Sequence, residues 1–85
     1  MKILVTGGLG FIGSNFILKL LNETNEFDII NVDAELYGAN QKNLNSVKNH
    51  KKYEFVKGNI TNKRLMEELI SKCDAVVKFA AESFD

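Results

Sequence analysis

The residues best suited to chemistry come first in the chain, in Gly7-Gly8-Leu9-Gly10-Phe11-Ile12-Gly13. Gly7, Gly10 and Gly13 stand three apart, a spacing that can wrap backbone around a phosphate group. Gly7 permits a sharp turn, because glycine tolerates positive φ. Gly10 leaves no Cβ where the chain must approach a pyrophosphate, and Gly13 lets a following helix pack closely. The amides of Phe11 and Ile12 would face the phosphates from a helix N-terminus, whose dipole favours an anion. No Gly-Lys-Ser/Thr follows, so this is not the loop that cradles a nucleoside triphosphate. Glycines can also be recruited by any tight turn from strand to helix. Here the loop lies after an apolar β-branched run and opens an amphipathic stretch, the context a dinucleotide requires.

Asp33 lies 20 positions after Gly13, where an acid would accept hydrogen bonds from the adenosine ribose. A carboxylate there repels a 2′-phosphate, so the expected cofactor is NAD rather than NADP. Alone, Asp33 would read as a solvated residue at a strand end; beside the glycine loop the ribose role is preferred. Other reactive residues form no constellation. Tyr53 and Lys57 have the Tyr-x-x-x-Lys spacing of a base and its supporting cation, but they fall on an expected strand, where they do not share a helical turn. Tyr37 is followed four positions later by Gln41. His50 has no partners at metal-ligand spacing. Glu82 reads as a structural carboxylate near a strand end. Cys73, the single cysteine, has no signature of a thiolate-lowering site and reads as a packing residue.

The elements that must position these residues alternate. Lys2–Thr6 reads as a strand buried on both faces. Ile12, Phe16, Ile17, Leu20 and Leu21 recur at helical spacing. Asp28–Asp33 reads as a second strand and Tyr53–Lys57 as a third, with a short helix expected around Gln41–Lys48. Thr61 or Asn62 can cap a helix whose inward face is Leu65, Met66, Leu69 and Ile70. Residues 75–80 form a fourth strand. This order predicts an α/β, Rossmann-type parallel sheet of strand order 3-2-1-4, with helices on both faces and a ligand crevice between strands 1 and 4.

Composition narrows the function classes. The 11 basic and 11 acidic residues balance, which argues against nucleic acid or an anionic membrane as partner. No apolar run approaches the roughly 20 residues of a membrane span, and the glycines follow residues 2–6 too soon for a signal-peptide core. A single cysteine excludes an internal disulfide and fits a reducing compartment, so the expected location is cytoplasmic.

Val5-Thr6-Gly7-Gly8-Leu9-Gly10-Phe11-Ile12-Gly13-Ser14 resembles the opening of the extended short-chain dehydrogenase/reductases, which include nucleotide-sugar epimerases and dehydratases. Asn31-Val32-Asp33-Ala34-Glu35-Leu36-Tyr37-Gly38-Ala39-Asn40, with Asn43-Leu44, is similar to the corresponding stretch of the dTDP-glucose 4,6-dehydratases, as is Phe79-Ala80-Ala81-Glu82-Ser83. The resemblance runs over nearly the whole chain. It implies that Gly7, Gly10, Phe11, Ile12 and Gly13 hold the NAD pyrophosphate and that Asp33 with Ala34 holds the ribose. It places Asn59 and Ile60 beside the adenine, with the Asn59 oxygen accepting from the adenine amino group where the family usually has Asp. Ala80, Ala81 and Ser83 would line the crevice near the phosphates and the nicotinamide ribose. Two departures bear on the substrate side: Lys78 replaces a usual His, and Ser83-Phe84-Asp85 replaces Ser-His-Val-Asp.

The resemblance further implies a nucleotide-sugar substrate, hydride transfer coupled to loss of water, and a homodimer for the complete protein. The superfamily's catalytic Tyr-x-x-x-Lys pair has no counterpart on a helix here. Residues 1–85 are therefore expected to be the N-terminal part of an NAD-binding domain, inactive alone, without the rest of the domain and the substrate domain. Two other readings stay open: a nucleotide-sugar 4-epimerase or decarboxylase of the same superfamily, and a non-catalytic dinucleotide-binding module.

Overall fold

A computed structural model describes residues 1–34 and 41–79. Four strands, β1 (Lys2–Thr6), β2 (Asp28–Asp33), β3 (Tyr53–Lys57) and β4 (Ala75–Lys78), form one sheet in the order β3-β2-β1-β4. All three pairings are parallel; Thr6 lies opposite both Val32 and Lys78, and Asp33 opposite Lys57. The carboxyl ends of the strands therefore share one edge. This is the expected strand order. β4 covers less than the expected 75–80, although the Phe79 amide still donates to the Thr6 carbonyl at 2.7 Å.

Strand alternation divides the apolar residues between two faces. Ile3, Val5 and Ile29 pack with Leu9, with Ile17 and Leu21 of helix α1 (Phe11–Glu23), and with Leu44 and Val47. Leu4, Ile30 and Val32 face the other way, onto Leu69, Leu65 and Met66 of helix α2 (Lys63–Ser71) and onto Cys73. Helices thus cover both faces. Asn62 caps α2, its side-chain oxygen accepting from the Leu65 amide at 3.1 Å.

Three details differ from the pattern-based reading. Gln41–Val47 is a 3₁₀ helix with a break at Leu44 (φ −120°, ψ 19°). Asn43, Asn45 and Ser46 compete for backbone hydrogen bonds and disfavour a longer α-helix, while the i, i+3 spacing brings Leu44 and Val47 to one buried face. Ile70 was expected inward but is 46% exposed. On the helical wheel it lies about 100° beyond Leu69, outside the stripe centred on Leu65 and Leu69. Ile12, assigned to the apolar repeat of α1, is 69% exposed, because it lies about 140° from Ile17 around the helix, away from the buried face of Gly13, Ser14, Ile17 and Leu21.

The burial contrast on α2's side of the sheet is measurable. Leu4→Ala should lower stability by about 2–5 kcal/mol, whereas Ile70→Ala should stay within about 0.5 kcal/mol. Equilibrium denaturation of the two variants checks the difference, and equal losses would place Ile70 in the core.

Candidate functional site: the glycine loop at the carboxyl edge of the sheet

β1 ends at Thr6, and Gly7 turns the chain out of the sheet with φ 74°, a left-handed conformation that glycine adopts without steric cost. The following amides are held from below. Gly7 N–H donates to the Val32 carbonyl at 3.1 Å. Gly8 N–H donates to Asn31 Oδ1 at 3.0 Å, and Leu9 N–H to Asp33 Oδ2 at 3.0 Å. Gly10 N–H closes back on the Gly7 carbonyl at 3.3 Å, and the Leu9 carbonyl accepts from Asn43 Nδ2 at 2.9 Å. Every amide from Gly7 to Gly10 is thus turned into the protein.

The next three amides, of Phe11, Ile12 and Gly13, open α1, where a helix has no internal acceptor to offer them. Gly10 occupies the N-cap without a side-chain hydrogen bond, and the first turn carries no acid. The side chains of Phe11 and Ile12 are exposed, Phe11 by 80%. This turn therefore presents donors and a positive dipole end at the surface, flanked by two apolar side chains.

The glycines divide by what a side chain would meet. A Cβ at Gly13 would stand 2.7 Å from the Gly7 carbonyl oxygen and 2.9 Å from Gly8 Cα. Gly13 therefore packs the helix against the loop itself, more than against the sheet as expected. A Cβ at Gly8 would overlap the Asn31 carboxamide and Ile17 Cδ1. A Cβ at Gly10 would meet only the Gly7 oxygen, at 3.6 Å, and Gly10 has φ −72° and ψ 172°, which any residue adopts. The fold does not require glycine there. A phosphate lying close against the backbone does, so the residues present fit a dinucleotide.

Asp33, 8% exposed, closes the site on the β2 side. Its backbone carbonyl also accepts from Gly58 N–H at 3.1 Å, tying together the ends of β2 and β3. A carboxylate accepts about four hydrogen bonds, so holding Leu9 and binding a ribose hydroxyl are compatible. Ala34 follows, partly exposed. Asn59 and Ile60 lie exposed just beyond β3, on the same edge of the sheet. Asn59 Oδ1 already accepts from the Thr61 amide and hydroxyl, both at 2.9 Å. Ala80, Ala81, Glu82, Ser83 and Tyr37 lie outside the described residues.

Two residues of this site were absent from the motif reading. Asn31 had a signal: a polar side chain inside the apolar run Ile29-Ile30-Asn31-Val32 must find buried partners. It is 0% exposed and also donates from Nδ2 to the Tyr53 hydroxyl at 3.1 Å. Asn43 carried no such signal, because it falls among other polar residues. Thr6 Oγ1, at the root of the loop, is buried without a hydrogen-bond partner among the described residues.

The remaining candidates form no catalytic arrangement among the described residues. Tyr53 and Lys57 lie four residues apart on β3, hence about 13 Å along the strand. Burial raises the Tyr53 pKa, and the nearby Asp33 charge adds to this against the opposing Asn31 hydrogen bond, so the phenol stays neutral near pH 7. The Cys73 thiol is likewise pushed up, chiefly by burial, which disfavours the reactive thiolate. His50 Nδ1 accepts from the Lys52 amide at 3.0 Å. Among the described residues no helix is long and apolar enough to cross a membrane.

A parallel sheet of order 3-2-1-4, covered on both faces and carrying a glycine loop at its carboxyl edge, defines a Rossmann-type fold. Residues 4–84 match the family described as GDP-mannose 4,6 dehydratase, and the chain belongs to that family. The dTDP-glucose 4,6-dehydratase of Haemophilus influenzae is 46% identical over 85 residues, a match covering 98% of this chain and 25% of that protein. The low-salt glycan biosynthesis protein Agl12 of Haloferax volcanii is 41% identical over 83 residues, covering 98% of this chain and 26% of that one. The crystal structure of dTDP-glucose 4,6-dehydratase from Bacillus anthracis in complex with NAD superposes with a TM-score of 0.89 at 49% identity, covering 96% of this chain and 27% of that one. The chain thus spans about a quarter of the length of these relatives.

The unequal glycines give a direct test. Gly13→Ala should cost about 1–3 kcal/mol of stability through overpacking. Gly10→Ala should change stability by no more than about 0.5 kcal/mol, the lost cap preference offset by reduced unfolded-state entropy, yet weaken dinucleotide binding. Thermal unfolding and NAD titration separate the two, and a stability loss at Gly10 equal to that at Gly13 would refute the division.

Proposed function

We propose that these 85 residues are the cofactor-holding N-terminal part of an NAD-dependent nucleotide-sugar 4,6-dehydratase of the dTDP-glucose 4,6-dehydratase type. The observation that carries this reading is Gly10, whose missing side chain serves nothing inside the fold and leaves backbone open beside the Phe11 and Ile12 amides at the start of α1. In this reading Gly7, Gly10, Phe11, Ile12 and Gly13 hold the pyrophosphate, and Asp33 with Ala34 holds the adenosine ribose. Asn59 and Ile60 flank the adenine, with the Asn59 oxygen toward the adenine amino group. Ala80, Ala81 and Ser83 line the crevice toward the nicotinamide.

When bound, NAD would supply a hydride acceptor that takes a hydride from the sugar ring and returns it after water has left. The residues described contribute binding, orientation and charge selection. The Asp33 carboxylate disfavours a 2′-phosphate, and the Phe11 and Ile12 amides offer donors to the pyrophosphate. The base and its supporting cation, the contacts to the nucleotide sugar and the rest of the domain would come from beyond these residues. The active protein would be a cytoplasmic homodimer without a nucleic-acid partner; the balanced charge supports the last point and the single cysteine the location, while the homodimer follows from the family resemblance alone.

Asp33→Ala in the full protein removes a ribose acceptor and also leaves Leu9 N–H without its partner. NAD affinity should fall by about 10- to 100-fold, and the preference for NAD over NADP should narrow. Calorimetric titration with both dinucleotides checks this, and unchanged NAD affinity would remove Asp33 from the site.

A further inference from the structure

Asn31 stands between the glycine loop and β3. Its carboxamide is buried, with Oδ1 accepting from Gly8 N–H at 3.0 Å and Nδ2 donating to the Tyr53 hydroxyl at 3.1 Å. A carboxamide has an acceptor at one end and donors at the other. Turned over, it would set an NH₂ against the Gly8 N–H, donor facing donor, and strand a buried amide. The Gly8 N–H, a donor only, therefore sets which way the carboxamide faces, and the Tyr53 hydroxyl, accepting from Nδ2 at the far end, satisfies the other buried group and fixes where the carboxamide lies.

We propose that Tyr53 is a positioning residue for dinucleotide binding, acting through Asn31 on Gly8 although it sits two strands away from the loop and touches no ligand itself. The inference rests on the reading of the loop as a pyrophosphate site. Its physical content is that the outward amides of Phe11 and Ile12 are aimed only while Gly8 and Leu9 are held inward. Asn31 holds one of that pair and Asp33 the other. Gly8 has no room for an alternative arrangement, since even a Cβ there would overlap Asn31 and Ile17. Tyr53 also borders a hollow of about 130 Å³ with Leu9, Leu44, Asn45, Lys48 and Phe55. Its ring contacts thus remain when only the hydroxyl is removed.

The test uses the full protein and three ligands: NAD, ADP and adenosine. Tyr53→Phe should weaken NAD and ADP, which carry the pyrophosphate, by about three- to tenfold, the loss expected for one neutral hydrogen bond. Adenosine, which does not reach the loop, should bind as in the wild type. Hydrogen exchange at the Gly8 amide should quicken in the folded variant. In an Asn31→Leu background, where the link is already cut, Tyr53→Phe should have no further effect on NAD affinity. A purely structural tyrosine would lower the unfolding temperature and leave the ADP-to-adenosine contrast and the Gly8 exchange untouched, overturning the proposal. Wild-type protein that binds neither NAD nor ADP would instead overturn the dinucleotide reading, and the positioning role with it.

Discussion

The site depends on two polar side chains in the middle of the sheet. Asn31 and Asp33 alternate with Ile30 and Val32 on β2, so they share a face that would otherwise be wholly apolar. Burying them is unfavourable unless their hydrogen bonds are made. The groups that satisfy them are the Gly8 and Leu9 amides, which would themselves be stranded in a loop crossing the top of the core. Each set of groups solves the other's desolvation problem. Loop conformation and strand burial therefore form together, and the site is a by-product of a core interaction rather than an ornament on a finished sheet.

The sheet supplies the geometry for this exchange. Parallel pairing brings all carboxyl ends to one edge, and the register setting Thr6 opposite Val32 places Asp33 one residue above the root of the loop. β3 extends the same edge, where Gly58 N–H reaches the Asp33 carbonyl and Asn59 folds over Thr61 before α2 begins. α1 and the 3₁₀ helix Gln41–Val47 close the loop's face from outside. Leu44 and Val47 enter the core, while Asn43 reaches the Leu9 carbonyl. The residues flanking the loop thus come from β1, β2 and the 3₁₀ helix, held by a common core and not by sequence proximity.

Most of this was legible in the sequence because two periodicities and one spacing carry it. The runs at residues 2–6, 28–33 and 53–57 became strands with the expected limits, and the helical repeat from Ile12 to Leu21 falls within α1. The glycine spacing marked the loop, and the acid after the second run marked Asp33. Less legible was anything decided by partners distant in sequence. Asn31 reads as an oddity in a strand until Gly8 and Tyr53 meet it. Ile12 and Ile70 are apolar residues that their helices turn outside the packed stripe. Periodicity finds a face, but the limits of what covers that face come from the tertiary structure.

The glycines show how a fold separates what it needs from what its ligand needs. Gly7 is demanded by its backbone angle, Gly8 by Asn31 and Ile17, and Gly13 by the backbone of Gly7 and Gly8. Each of these makes the loop rigid, and each would be required with or without a bound molecule. Gly10 belongs to neither class of constraint: its angles are ordinary and the space before it is open. A side chain there would stand beside water-solvated helix-end amides without supplying them an acceptor, so the fold itself gains nothing from one. Its absence matters only when something approaches the Phe11 and Ile12 amides closely. Because the rest of the loop is already fixed from beneath, an anion arriving there meets donors that need not reorganise, and preorganisation of this kind is what lets a few backbone amides hold a pyrophosphate against water.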